Sequence, residues 1–433
     1  MRLFSYHCEI ERRFAATVCI SRGVSTLARR PKQLKNQNPS VQGFKAAGLN
    51  CGIKENYIKD LALVVSEVSA NAAAVFTKNR VVSPSVTWSR NAITKSGRCR
   101  AVIVNSGNAN AVSGSKGLKD CDEITKKVAG ELSISQKEVF IASTGIIGVP
   151  LPSAKILKAT PKLVNQLGSS AKNWRDASEA ILTTDTVSKS DRISYTFKNQ
   201  RIVIGGITKG SGMIHPKMAT MLGFLFTDAA IDTKTLKLAL KEATSRSFNR
   251  ITVDGDNSTN DCVIILANGK AKNATIKTGT PAYREFLKTL TKLCKNLASK
   301  IILDGEGATK FVTVRVQGGK TRKQAHQIAN SIATSSLVKT ALFGEDPNWG
   351  RIFCAVGNAG VPFNPDKVDI LLNKNLLLKN GSPTNLSPKK LEKAMKQYEI
   401  YITIDLKCGK EWEEVLTCDL SYDYVKINAE YTT

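Results

Sequence analysis

Lys209-Gly-Ser-Gly-Met-Ile-His-Pro-Lys-Met-Ala-Thr-Met-Leu-Gly-Phe224 is the stretch on which the fold and the chemistry of this chain turn. A glycine-rich, proline-containing approach leads to a small residue, Ala219, and then to Thr220, which opens an apolar run of strand character over Met221–Phe226. Glycine and proline punctuate turns, so the plain reading is a loop that feeds a strand. The same arrangement also sets the Ala219–Thr220 peptide where the Thr220 hydroxyl can attack the carbonyl before it. An N-to-O acyl shift followed by ester hydrolysis would free the α-amine of Thr220. Such an amine has a pKa of about 8, so the hydroxyl would gain a base within its own residue.

Working outward, the chain has reason to use such a nucleophile. Of 433 residues only three are histidine, namely His7, His215 and His326, so a Ser-His or Cys-His pair or a multi-histidine metal site has little to draw on. Ten cysteines are spread without a C-x-x-C or any zinc-type pairing, which fits free thiols in a reducing compartment. With 42% hydrophobic residues the chain can bury a large core, and no apolar run reaches the 18 residues of a membrane span. A soluble protein with no membrane partner is expected. The net charge of +27 raises a polyanion partner. No aromatic-interleaved basic cluster accompanies it, so no nucleic-acid partner is expected.

Past residue 40, β-branched runs alternate with amphipathic helices, the pattern of an α/β protein. Strands are expected at Leu61–Val65, Ala101–Val104, Val139–Ala142, Arg201–Gly205, Met221–Phe226, Cys262–Ala267, Phe311–Val316 and Ile400–Asp405. Helices are expected after Pro281, after a cap at Asp232, and along the stripe Ala325, Ile328, Ala329, Ile332 and Ala333. The first 35 residues hold eight basic and two acidic side chains and lack an apolar signal core. They read as an organelle transit peptide, expected over residues 1–32, with the mature protein in the mitochondrial matrix.

Several familiar sites are missing. Gly319-Lys-Thr321 lacks the upstream glycine of a phosphate loop, and Gly205-Gly206 with Gly210-x-Gly212 does not make a dinucleotide fingerprint. The phosphate turn of common acetyl-CoA-dependent acetyltransferases is absent too, so an acyl transferase here would need a covalent acyl-enzyme. Asp254-x-Asp256-x-Ser258, followed by Asp261, lacks the glycine and terminal glutamate of a calcium loop and reads as a hydrogen-bonded turn, so no metal is expected. Trp349 and Arg351 read either as a ligand-stacking pair or as a buried loop anchor.

The stretch Lys217-Met-Ala-Thr-Met-Leu222 closely resembles the cleavage site of the ornithine acetyltransferase family, the bifunctional glutamate N-acetyltransferase (ArgJ) enzymes of arginine biosynthesis. The resemblance continues through Asn105-Ser-Gly-Asn-Ala-Asn110, Ser143-Thr-Gly-Ile146, Thr183-Thr-Asp-Thr186 and Asp254-Gly-Asp-Asn-Ser-Thr-Asn-Asp261. It extends to Asp304-Gly-Glu-Gly-Ala-Thr-Lys310, Gly344-Glu-Asp-Pro-Asn-Trp-Gly-Arg351 and Asp423-Tyr-Val-Lys-Ile-Asn428. Eight blocks in order are far more specific than any one of them.

This resemblance implies an ArgJ-like α/β sandwich with a smaller second lobe, self-cleaved between Ala219 and Thr220 into an α chain, 33–219, and a β chain, 220–433, assembled as an α2β2 heterotetramer. Thr220 would be the nucleophile, and Thr144 with Gly145 would form the oxyanion hole, a small turn aiming a hydroxyl and a backbone N–H at the alkoxide. Substrate contacts would fall on Thr183, Lys209, Thr220, Glu306, Asn428 and Thr433. The substrates would be N-acetylornithine and glutamate, with ornithine as product. No cofactor is implied, although some members of the family also use acetyl-CoA as an acetyl donor.

Without the resemblance, Thr144-Gly145 would be a strand-to-helix turn, Glu306 a solvated loop acid and Lys209 one of many surface lysines. The competing activity is a self-cleaving N-terminal-nucleophile aminopeptidase or amidase, in which water resolves the acyl-enzyme; it would release acetate and make no N-acetylglutamate. The Thr220 reading expects Thr220→Ala to remain one uncut chain, seen by intact mass, with no acetyl transfer, while Thr220→Ser still cleaves. An active, processed alanine variant would exclude it.

Overall fold

Residues 35–215 and 221–430 of the computed structural model are described. Thr220, Ala219, Thr433 and the expected transit segment, 1–32, lie outside them. Two sheets organise the chain. The first holds β1 (Phe44–Leu49), β2 (Leu61–Phe76), β3 (Arg98–Asn108), β4 (Val139–Ile146), β5 (Lys189–Phe197), β6 (Gln200–Lys209), β7 (Leu222–Thr227) and β8 (Cys262–Ala267), ordered β4-β3-β2-β8-β7-β6-β5 with β1 beside β2. The second holds β9 (Phe311–Gly319), β10 (Asp369–Leu372), β11 (Asn375–Lys379), β12 (Ser382–Pro383), β13 (Glu399–Asp405) and β14 (Glu411–Cys418), ordered β12-β11-β10-β13-β9-β14.

The alternation of side chains along β8 explains why the first sheet is a central layer. Cys262, Ile264 and Leu266 point into one core with Phe224, Phe226 and Trp174, whereas Val263, Ile265 and Ala267 point into another with Leu236, Leu240, Leu290 and Leu297. A strand buried on both faces needs helices on both sides, and an unbroken apolar run such as Cys262–Ala267 is its signature. Parallel neighbours require crossovers: helix Gly114–Leu132 carries the chain from β3 to the parallel β4, and helix Thr233–Ser245 from β7 to the parallel β8. Asp232 caps the latter through Thr235 N at 2.8 Å.

The second lobe covers one face of its sheet. Val312, Val314 and Val316 of β9 and Ile400, Ile402 and Ile404 of β13 pack against Ala325, Ile328, Ala329 and Ile332 of helix Arg322–Thr334. The opposite face is open, with Tyr401 half exposed and Arg315 lying over Trp412 at 4.5 Å. The lobes join where Thr252 N donates to Leu416 O at 2.9 Å and Arg250 pairs with Glu413 at 2.9 Å. The architecture is therefore a mixed α/β sandwich with a smaller second lobe.

All eight expected strands and all three expected helices are present, Leu61–Val65 being the first third of a longer strand. That strand slips register against β3 between Val65 and Ala70, so its first part pairs with β1 and its last part with β8. The unforeseen elements have weak signals. Helix Gly114–Leu132 contains three glycines, helix Ser153–Asn165 contains Pro161, and β14 begins Glu-Trp-Glu-Glu on an edge. Phe226 sits between the rings of Phe44 at 5.2 Å and Trp174 at 5.3 Å. Phe226→Ala is expected to cost about 3–5 kcal/mol of stability, measured by denaturant titration, because the surrounding rings cannot collapse into the gap.

Candidate functional site

The site is built from the ends of strands and the loops that leave them. β4 ends in Thr144, Gly145 and Ile146, paired in parallel with the end of β3. Gly145 has φ 130, and a Cβ on it would lie 2.3 Å from the Gly107 carbonyl carbon, so no other residue fits between the two strands. Thr144 and Gly145 thus belong to a strand end held in a ladder. This corrects the expectation of a small turn: the neighbouring strand, more than local flexibility, sets their direction.

β6 ends in Lys209, which is only 8% exposed. Its Nζ lies 2.7 Å from Thr183 Oγ1 and 3.4 Å from Thr144 Oγ1. Burial pushes the Lys209 ammonium down from its ordinary value, and the Asp185 carboxylate, 3.8 Å away, opposes that fall. The surface-lysine alternative is therefore excluded. Glu306 is 7% exposed, accepts a hydrogen bond from Asn428 Nδ2 at 2.8 Å, and donates its backbone N–H to Ser211 O at 3.1 Å. A Cβ on residue 212 would lie 2.3 Å from the Glu306 carboxylate carbon, so any side chain there would displace the carboxylate from this position. A solvated loop acid is excluded as well.

Thr144, Gly145, Thr183, Lys209, Glu306 and Asn428 line one cavity of about 100 Å³, with Ala109, Ile147, Met213, Met221 and Leu222 as its apolar wall. Asn428 comes from helix Tyr422–Glu430, none of whose residues is buried. Trp349 and Arg351 are not among the residues lining this cavity. Trp349 is 38% exposed at the start of helix Trp349–Gly357, so the buried anchor does not hold, and Arg351 donates to Leu337 O at 3.1 Å. His215 is buried, with Nδ1 3.3 Å from Thr252 Oγ1.

Three acids hold the site together, and the sequence reading gave no role to two of them, Asp185 and Asp304. The Asp185 carboxylate accepts from Lys189 Nζ at 2.6 Å, Gly210 N at 2.7 Å and Thr183 N at 3.1 Å. Asp304 accepts from the same Lys189 at 2.6 Å. Burial alone would raise the Asp185 carboxyl, but the Lys189 and Lys209 ammoniums and the Gly210 N–H hold it well below the usual carboxylate range. Asp254 accepts from Met213 N at 2.5 Å and Ile214 N at 2.9 Å, pinning a segment in which Met213 takes the left-handed φ of 54. Burial pushes its carboxyl up to about 6, against the pull of the N–H groups of Asp256, Met213 and Ile214. The Asp254 run is thus a turn holding neighbouring backbone. Among the described residues no group of three or more His, Cys, Asp or Glu is placed to hold a metal ion. All three acids lay inside quoted blocks, but only their distant partners distinguish them.

Because the folded-state pKa of Asp185 is depressed, its ionisation contributes stability that is present above its unfolded value of about 3.9 and is lost as the pH falls through the folded one. Asp185→Asn leaves two buried ammoniums short of a counter-charge and is expected to cost about 3–5 kcal/mol at neutral pH, measured by denaturant titration. Unchanged stability would show that Asp304 suffices alone.

Comparison with known proteins bears on what this cavity belongs to. The ArgJ family model matches residues 45–433. The arginine biosynthesis bifunctional protein ArgJ of Caldanaerobacter subterraneus subsp. tengcongensis is 46% identical over 396 residues, covering 90% of this chain and 97% of its own. The ArgJ protein of Bacillus cereus strain ATCC 14579 is 44% identical over 403 residues, 92% of this chain and 98% of its own. Among solved structures, ornithine acetyltransferase from Mycobacterium tuberculosis, complexed with ornithine, is 35% identical and covers 43% of this chain and 96% of its own, with a TM-score of 0.38. These relatives are bacterial, which overturns the expectation of a mitochondrial matrix protein and leaves the mitochondrial form of the family, with its transit peptide, without support. Matched over nearly all its length, the chain belongs to the ArgJ family, the bifunctional acyltransferases of arginine biosynthesis.

Proposed function

We propose that Thr220, freed by scission of the Ala219–Thr220 bond, carries an acetyl group from N-acetylornithine to glutamate within this cavity. In the first step the Thr220 hydroxyl attacks the acetyl carbonyl and its proton passes to the α-amine. The alkoxide is received by the Thr144 hydroxyl and the Gly145 N–H, and the proton then goes to the departing amine of ornithine. In the second step the α-amine of glutamate attacks the acetyl-Thr220 ester, giving N-acetylglutamate and restoring the hydroxyl. Lys209 receives the α-carboxylate common to both substrates, with Thr183 beside it. Glu306, held by Asn428, faces the cationic end of ornithine.

The observation that carries this reading is the convergence of Thr144, Gly145, Thr183, Lys209, Glu306 and Asn428, from five separate segments, on one cavity whose wall includes Met221, the residue after Thr220. The same proposal includes cleaved chains 33–219 and 220–433 assembled as an α2β2 heterotetramer, Thr433 as a substrate contact, and acetyl-CoA as a second acetyl donor without any bound cofactor. Scission need not part the chains. β6 stays hydrogen-bonded to β7 from Ile204–Thr227 to Lys209–Leu222, and β2 to β8 from Asn71–Ala267 to Phe76–Cys262.

Initial rates at varied N-acetylornithine and several fixed glutamate concentrations should give parallel double-reciprocal lines, and N-acetylornithine alone should leave an acetyl adduct on the chain that begins at Thr220. Intersecting lines with no adduct, or free acetate in place of N-acetylglutamate, would exclude the mechanism. N-acetylglutamate formed from acetyl-CoA and glutamate alone would establish the second donor, and none formed would remove it.

A further inference from the structure

We propose that Asn260 is the positioning residue of the oxyanion hole, an inference that rests on the role given to Thr144 and Gly145 above. Asn260 is 4% exposed. Its Nδ2 lies 2.5 Å from Ala109 O, 2.8 Å from Ser143 O and 3.2 Å from Ser83 Oγ, while its Oδ1 accepts from Thr259 Oγ1. The carboxamide nitrogen has two N–H groups; one of the two main-chain carbonyls, Ser143, lies on β4, and the other, Ala109, belongs to the residue that follows β3.

The geometry explains why a side-chain clamp is placed here. β3 and β4 run in parallel register from Ala101–Val139 to Gly107–Gly145, and then the register shifts, so that Asn108 pairs with both Thr144 and Ile146. The regular ladder therefore holds β4 through Gly145 and ends there, so the strand ends beside Thr144 and Gly145 need a further contact to stay fixed. The Ser143 carbonyl belongs to the same planar unit as the Thr144 N–H, so fixing that oxygen fixes the plane from which Thr144 and Gly145 continue. The Ala109 carbonyl fixes the neighbouring end of β3 to the same amide.

Asn260 also relates the hole to the expected nucleophile. It lies two residues before Cys262, the first residue of β8, and Cys262 N donates to Met221 O at 3.1 Å. One short segment thus carries both the amide that orients Ser143–Thr144 and the N–H that anchors the residue following Thr220. A reacting carbonyl must meet its nucleophile and its oxyanion donors together, and a displacement of about 1 Å between them costs on the order of 10²-fold in rate.

The test compares wild type with Asn260→Asp and Asn260→Ser, each normalised to the number of free Thr220 amino termini, with glutamate and N-acetylornithine as substrates. Asn260→Asp keeps the shape but turns an acceptor toward two carbonyl oxygens. Its kcat is expected to fall on the order of 10²-fold with KM within about threefold of wild type, and to recover in part as the pH is lowered and the new carboxyl becomes a donor. Asn260→Ser, which keeps one short donor and serves if the first variant does not fold, is expected to fall between the two. Processed variants with wild-type kcat, or a loss confined to KM or to thermal stability, would overturn the proposal. If the wild-type protein itself made no N-acetylglutamate, the failure would belong to the underlying reading and not to Asn260.

Discussion

The buried carboxylate of Asp185 is the constraint on which the rest of the site depends. It joins the loop carrying Thr183, the end of β6 carrying Lys209, and the backbone of Gly210, and shares Lys189 with Asp304 at the end of helix Pro281–Leu303. Isolated charges are expensive to bury, and they persist only where opposite charge and hydrogen bonds answer them. Two ammoniums and two carboxylates meet that requirement here. The arrangement places the Lys209 amine at a cavity wall, where the Asp185 carboxylate opposes the fall that burial imposes on its pKa.

Around that charged centre the site is assembled by close backbone fit. Gly145 lets β4 lie against Gly107, and Gly212 makes room for the Glu306 carboxylate. Asp254 holds the N–H groups of Met213 and Ile214, and Asn260 holds the carbonyls of Ala109 and Ser143. Each of these contacts gives a loop a fixed position that its own sequence does not dictate. The apolar sheet beneath supplies the rigid frame, since β7 and β8 are fully buried along their length.

The two lobes contribute unequally. Most of the cavity comes from the first sheet and its loops, whereas Asn428 arrives on a helix that follows the last strand of the second lobe. That helix has no buried residue and is held by a few contacts, among them Asn428 to Glu306 and the edge-on packing of Tyr422 against Phe343 at 5.2 Å. The second sheet therefore serves the site chiefly by delivering the chain back to it.

Apolar runs such as Cys262–Ala267 and the helical stripe Ala325–Ala333 were legible because burial on one or two faces imposes a period that a sequence displays. The candidate site residues were legible through ordered motif blocks, which carry identity but not position. The ArgJ identity and the α/β class were thus present in the sequence, whereas the mitochondrial location read from a basic leader was not borne out by the bacterial relatives. What only the tertiary structure decided was which polar residues are buried against one another. Asp185, Asp254 and Asn260 look like ordinary turn residues until partners 25, 41 and 151 positions away are brought within hydrogen-bonding distance. Hydrogen bonds and ion pairs between distant segments impose no period on the chain, so only its folded path reveals them.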